Sequence, residues 1–147
     1  FREAEQSLLL NPNSPEVVAF VGWAMALYGE WERGLLLLEK GMKLNPFHPR
    51  WFHLAPCLNH YRQGQFGEAY HEAEKLNAPH LFWDSLMRAA ALGQLERERE
   101  AKVAVDELLA VKVDFPACGR KLIGFLVKDP QVVQLLFDGL RKAGLEA

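Results

Sequence analysis

Leu44-Asn45-Pro46 stands thirty-four residues after Leu10-Asn11-Pro12, and Leu76-Asn77-Ala78-Pro79 carries the phrase onward, its proline thirty-three residues after Pro46. Asp114-Phe115-Pro116 follows thirty-seven residues later. Between these marks lie glycine turns: Leu27-Tyr28-Gly29-Glu30-Trp31, Arg62-Gln63-Gly64-Gln65-Phe66 and Ala91-Leu92-Gly93-Gln94-Leu95. Glycine closes a helix because it takes the left-handed conformation without a steric penalty. Proline opens one because the first turn needs no N–H. The pattern is therefore a pair of helices, repeated.

Composition agrees. The chain has 24 Leu and 17 Ala, but ten Val, one Ile and no Thr. Leu and Ala favour helices, and the β-branched residues of strands are scarce. The sequence predicts an all-α fold with helices over 2–10, 15–28, 31–43, 49–62, 66–77, 80–92, 95–112, 117–127 and 130–143. Ser14-Pro15-Glu16 supplies a cap, a proline at the first helical position and an acid for the macrodipole, and Asp129-Pro130 repeats that grammar.

With 147 residues the chain is of single-domain size. Its net charge of −2 lacks the basic excess of a nucleic-acid binder. The longest uncharged apolar run, from Val17 to Gly29, is too short for a membrane span of about twenty residues. Two cysteines form no disulfide framework and suit a reducing, cytoplasmic setting. Phe1 is not an initiator Met, so the expectation is a piece of a longer protein.

A helix pair recurring near thirty-four residues resembles the tetratricopeptide repeat (TPR) family over 1–116. Val18, Val21, Gly22, Met25, Gly34, Leu38 and Pro46 take the family's pattern positions in a first full repeat. Trp51, Leu54, Ala55, Leu58, Ala69, Ala73 and Pro79 take them in a second, and Phe82, Ser85, Leu86, Ala101 and Val105 in a looser third. The resemblance implies one TPR-type helix-turn-helix solenoid over 1–147, wound as a right-handed superhelix. In it, 1–12 is the second helix of a truncated repeat. The spans 13–46, 47–79 and 80–116 are repeats, and 117–147 is a C-terminal cap. Arg120, Lys121, Lys128, Asp138, Arg141 and Lys142 would form the cap's polar outer face, opposite Val132, Val133, Leu135, Leu136, Phe137 and Leu140.

Four phrases narrow the resemblance: Leu44-Asn45-Pro46-Phe47-His48-Pro49, Tyr61-Arg62-Gln63-Gly64, Leu81-Phe82-Trp83 and the tail from Gly139 to Leu145. They are similar to the C-terminal repeat region behind bacterial class III adenylate/guanylate cyclase domains, and sometimes behind winged-helix regulators. That similarity implies a non-catalytic interaction or regulatory domain of a signalling protein, its catalytic part lying upstream. Such a domain binds a protein or peptide partner, or pairs chains, which matters because cyclase sites are generally built between two chains.

By the family's pattern the inner surface carries Trp23, Phe52, Asn59, His60, Trp83 and Met87, the expected partner-binding residues. It lacks the Lys/Asn/Arg set with which some family members grip a C-terminal carboxylate. Large apolar patches are uncommon on monomers. The groove is therefore either open to a partner or filled, by the chain's own C-terminal helices or by a second copy.

His53, Cys57 and His60, at i, i+4 and i+7, are candidate metal ligands along one helix face. A fourth ligand is not evident, though His71 and His80 are candidates. The competing reading is ordinary helix-face residues, and no metal or cofactor is assigned. Pro56 is expected to bend this helix or shift its register. The run from Glu96 to Lys102 reads as a solvated face with a Glu98–Lys102 pair. Cys118 reads as a structural thiol. No phosphate loop, zinc-protease motif or nucleophile elbow occurs, so the expectation is no enzyme. The alternatives are a small-molecule- or metal-responsive sensor and a structural spacer.

Overall fold

The computed structural model describes residues 2–10 and 14–146. Asn11-Pro12 of the first repeated phrase, and the expected repeat start at 13, lie outside the described residues. Within them the chain is helical and no strand occurs. The helices are α1 (Arg2–Leu10), α2 (Pro15–Leu27), α3 (Trp31–Leu44), α4 (Leu54–Arg62), α5 (Phe66–Leu76), α6 (Phe82–Gln94), α7 (Glu98–Val111), α8 (Phe115–Leu126) and α9 (Pro130–Lys142). A 3₁₀ turn, Arg50–His53, runs directly into α4. No described helix is long and apolar enough to cross a membrane.

The cap grammar works as read. Ser14 Oγ accepts from Val17 N at the start of α2, and Asp129 Oδ1 accepts from Gln131 N at the start of α9. Gly29 (φ +109°) and Gly64 (φ +79°) turn α2 into α3 and α4 into α5, in a backbone region closed to most side chains. The helices pack as consecutive pairs: α2 on α3, α4 on α5 and α6 on α7.

Small residues set the distances within the fold. A Cβ on Gly22 would strike Gly34 O and Leu38 N across the first pair. One on Gly41 would lie 2.6 Å from Ala19 Cβ. Asn45 Nδ2, just past α3, reaches Glu16 Oε1 at the start of α2 and closes the hairpin at its open end (3.3 Å).

The centre of the molecule is α6. Every residue from Asp84 to Gly93 except Arg88 is buried. A helix buried on nearly every side needs neighbours on every side, and α4, α5, α7 and α9 surround this one. Helix α9 therefore fills the face over α6 and α4. It crosses where Gly93 and Gly139 meet: a Cβ on either would strike backbone of the other helix, and one on Gly139 would also strike the Tyr61 hydroxyl. Tyr61 is fully buried and donates to Leu135 O of α9 at 2.6 Å. Gln94 Nε2 donates to the same hydroxyl at 3.2 Å, and Lys142 Nζ donates to Gln94 Oε1.

Two local expectations change. Gly93 is not a turn residue. It lies inside α6, where α9 needs the space, and the chain turns later, at Leu95–Arg97, with Glu96 in the left-handed region (φ +58°). Helix 49–62 is not one helix bent at Pro56. The 3₁₀ turn ends at His53, so Pro56 falls in the first turn of α4, where a missing N–H costs little.

Two glycine substitutions test this packing in opposite directions. Gly139→Ala should lower stability by about 1–3 kcal/mol, because backbone must move to admit the methyl. Gly124→Ala on α8 meets no atom within 4 Å and should raise stability by about 0.5–1 kcal/mol through helix propensity alone. Urea unfolding followed by circular dichroism reads both.

Candidate functional site

Three tryptophans from three elements converge. Trp23 of α2, Trp51 of the 3₁₀ turn and Trp83 of α6 line one cavity of about 200 Å³ with Leu54, Leu81 and Leu126. Its wall is apolar. Trp23 and Trp51 meet edge to face with centroids 4.8 Å apart, and Phe20 packs beside both, at 6.2 and 6.3 Å. Leu81 (40% exposed) and Trp51 (37%) give the cavity a partly solvent-facing apolar rim, which Phe20 (49%), outside the lining, extends beside the two indoles. The indole N–H of Trp23 is buried with no acceptor among the described residues.

Asp84 fixes the Trp83 side of the cavity. It is buried, and its carboxylate accepts from Ala78 N (2.6 Å) and Arg88 Nε (2.7 Å). Arg88 also reaches Glu107 on α7. Partial burial disfavours the Arg88 charge, but the two carboxylates outweigh it and raise its pKa.

The six residues expected on one inner surface divide three ways. Trp23 and Trp83 share the tryptophan cavity. Phe52 and Met87 are buried core, so neither is a surface residue. Phe52 sits on a 3₁₀ turn, which advances each residue roughly 20° further than an α-helix and turns its side chain off the expected face. Met87 lies on α6, which is enclosed. Asn59 and His60 stand at the far end of α4: Asn59 Oδ1 accepts from Arg62 Nε, and His60 Nδ1 donates to Gln65 Oε1 at 2.6 Å.

The three candidate metal ligands do not converge. His53, Cys57 and His60 have separate partners. Cys57 is fully buried and donates to Ala69 O, and burial first, then the charges of Glu72 and Asp84, push its thiol far up. His60 shares a cleft with His71 that His53 does not line. Among the described residues no three His, Cys, Asp or Glu side chains converge as metal ligands. His53 instead turns to Glu72 (3.0 Å) and to His48 (3.4 Å), two residues missed by a search along one helix face. They border a second cavity, of about 490 Å³, lined also by Leu35, Met42 and Pro56. Partial burial opposes the charge on Glu72, but hydrogen bonds from His53 and Lys75, with the Lys75 charge, outweigh it and lower its pKa to about 2.

Elsewhere the ion pair in the charged run is Arg97 with Glu100, both exposed, rather than the Glu98–Lys102 pair expected. The guanidinium of Arg97 also lies over the Tyr70 ring. Cys118 is half-buried, and its thiol donates to Asp114 O.

Compared with family models, curated proteins and solved structures, the chain finds no match.

Two outcomes follow from this geometry. Asp84→Ala should cost about 1–3 kcal/mol, because it leaves the partly buried Ala78 N–H unpaired and takes from Arg88 one of its two carboxylates. Asp84→Asn should cost less, since its amide oxygen still accepts; denaturant midpoints measure both. In thiol labelling of the folded protein Cys118 should react first, and Cys57 only at the rate of unfolding.

Proposed function

We propose that this chain is a non-catalytic interaction domain of tetratricopeptide type, whose tryptophan cavity receives a bulky apolar side chain of a protein partner. The supporting observation is the cavity itself: three tryptophans around an apolar hollow, with an exposed rim of Phe20, Trp51 and Leu81. Its size selects the occupant. Drug-sized ligands and cofactors take pockets of about 300–1,000 Å³. A cavity of about 200 Å³ suits one or two side chains. Aromatic pockets of this kind hold the few anchor residues that dominate interface energies.

The repeated Leu-Asn-Pro phrases and the consecutive helix pairs support the family reading. With the cyclase-associated phrases, they support a place as a regulatory segment of a bacterial signalling protein. There the anchor comes from a partner segment, or from a twin chain when the domain pairs two catalytic units.

Phe20→Asp and Leu81→Asp change the rim without entering the core, and Trp83→Glu changes the wall. Peptides selected from a displayed library on the wild-type domain should carry a large apolar anchor. They should lose tenfold or more in affinity for each variant, with helicity unchanged. Light scattering reads the twin-chain version, where a wild-type dimer should become a monomer in the same variants. A wild-type protein that selects no such peptides and stays monomeric defeats the reading, as does association unchanged in all three variants.

A further inference from the structure

The contact between His48 and His53 is chemically incomplete. Nδ1 of His48 lies 2.9 Å from the carbonyl oxygen of Asn45, and Nδ1 of His53 lies 3.0 Å from the Glu72 carboxylate. Both partners only accept. Each Nδ1 therefore carries its proton, and each neutral ring keeps a lone pair at Nε2. Those two Nε2 atoms are the ones that approach each other, at 3.4 Å. The ring centroids are 5.4 Å apart and the planes 57° from parallel, so the rings meet at their nitrogen edges rather than stack.

Two lone pairs held face to face call for a cation between them, either a proton or a metal ion. A shared proton draws its heavy atoms to roughly 2.7–3.2 Å, the usual range of N–H hydrogen bonds. A tetrahedral ion with bonds of about 2.0–2.1 Å to imidazole sets its nitrogens roughly 3.3–3.4 Å apart. At 3.4 Å the contact is long for a shared proton and matches the spacing around an ion. The outer contacts agree, because metal-bound histidines typically donate their other N–H to a carboxylate or a backbone carbonyl.

We propose that His48 and His53 are a two-histidine site for a first-row divalent metal ion, zinc foremost, with its remaining positions open to the 490 Å³ cavity beside them. Imidazole suits zinc, nickel and copper. No third protein ligand joins the pair among the described residues, so this is an open site rather than a closed structural one. Lys43 pairs with Glu39 at 3.2 Å and Lys75 with Glu72 at 2.9 Å. Both lysines that line the cavity are therefore paired. The open positions suit water or a small anionic or imidazole-like donor entering over Leu35, Met42 and Pro56. This inference does not rest on the proposed function, although the 3₁₀ turn that carries His53 also carries Trp51 of the tryptophan cavity.

Calorimetric titration of the full chain with zinc chloride tests it, with cobalt(II) as a spectroscopic stand-in. Wild type should bind one ion per chain, gain thermal stability with added zinc, and give the visible bands of four-coordinate cobalt. His48→Ala lies in the loop before the 3₁₀ turn and should fold normally by circular dichroism, yet bind at least tenfold more weakly. His53→Gln should do the same, while His71→Ala and His80→Ala should bind as wild type. No saturable binding, binding that survives His48→Ala, loss in His71→Ala, or one ion shared between two chains would each overturn the assignment.

Discussion

The crossing of α6 and α9 sets the shape of everything around it. Neither Gly93 nor Gly139 has room for a methyl, so the backbones touch. Backbone contact of this kind admits no slack, because protein interiors are close-packed and a one-carbon change is felt. Tyr61 brings α4 to the same point, its ring stacked edge to face on Phe66 and its hydroxyl on Leu135 O. Burial pushes the phenol's pKa well above its usual value, so it stays a donor at any ordinary pH. Three helices distant in sequence are thus held by two glycines and one hydroxyl.

That crossing decides which surfaces remain. Because α9 lies over α6 and α4, the face that an array of helix pairs would leave open is filled by the chain itself in this region. Met87, on the enclosed α6, is core. What stays accessible includes Leu81 and Trp51, just before the N-terminal ends of α6 and α4, with Trp83 partly buried beside them. The link between α8 and α9 closes one side of this opening: Lys128 N donates to Leu27 O at the end of α2, and Leu126 lines the tryptophan cavity. The C-terminal segment therefore covers one part of the surface and shapes the edge of the rest.

The helices were legible in the sequence because each was bounded by a local signal. Ser14-Pro15, Gly29, Gly64 and Asp129-Pro130 act within one turn of themselves, and the observed bounds follow them closely. Failures came where a residue answered to something distant. Gly93 has the neighbours of a turn glycine, and only the approach of Gly139, forty-six residues away, shows why it is small. Of the expected binding surface, Trp23 and Trp83 came together, but Phe52 went inward. A continuous helix over 49–62 was the wrong ruler for its side chain. The histidines failed in the same way: spacing along one helix grouped His53 with Cys57 and His60, whereas its neighbours are His48 on a loop and Glu72 on α5. No period in the sequence links those three, since loop and hairpin geometry bring them together.

The 3₁₀ turn ties these points into one. With three residues per turn, successive side chains leave its axis about 120° apart. Trp51, Phe52 and His53 therefore face three directions, and each is used. Trp51 enters the tryptophan cavity. Phe52 enters the core, where it lies 4.4 Å from Trp51 by ring centroid. His53 faces Glu72 and the larger cavity. An α-helix, turning about 100° per residue, would spread these three side chains less evenly. The α-helical ladder begins only at Leu54, which also puts Pro56 where its ring does least harm. One four-residue segment thus forms a wall of both cavities. A displacement of that segment moves Trp51 and His53 together, so the geometry of either cavity depends on the same few backbone angles.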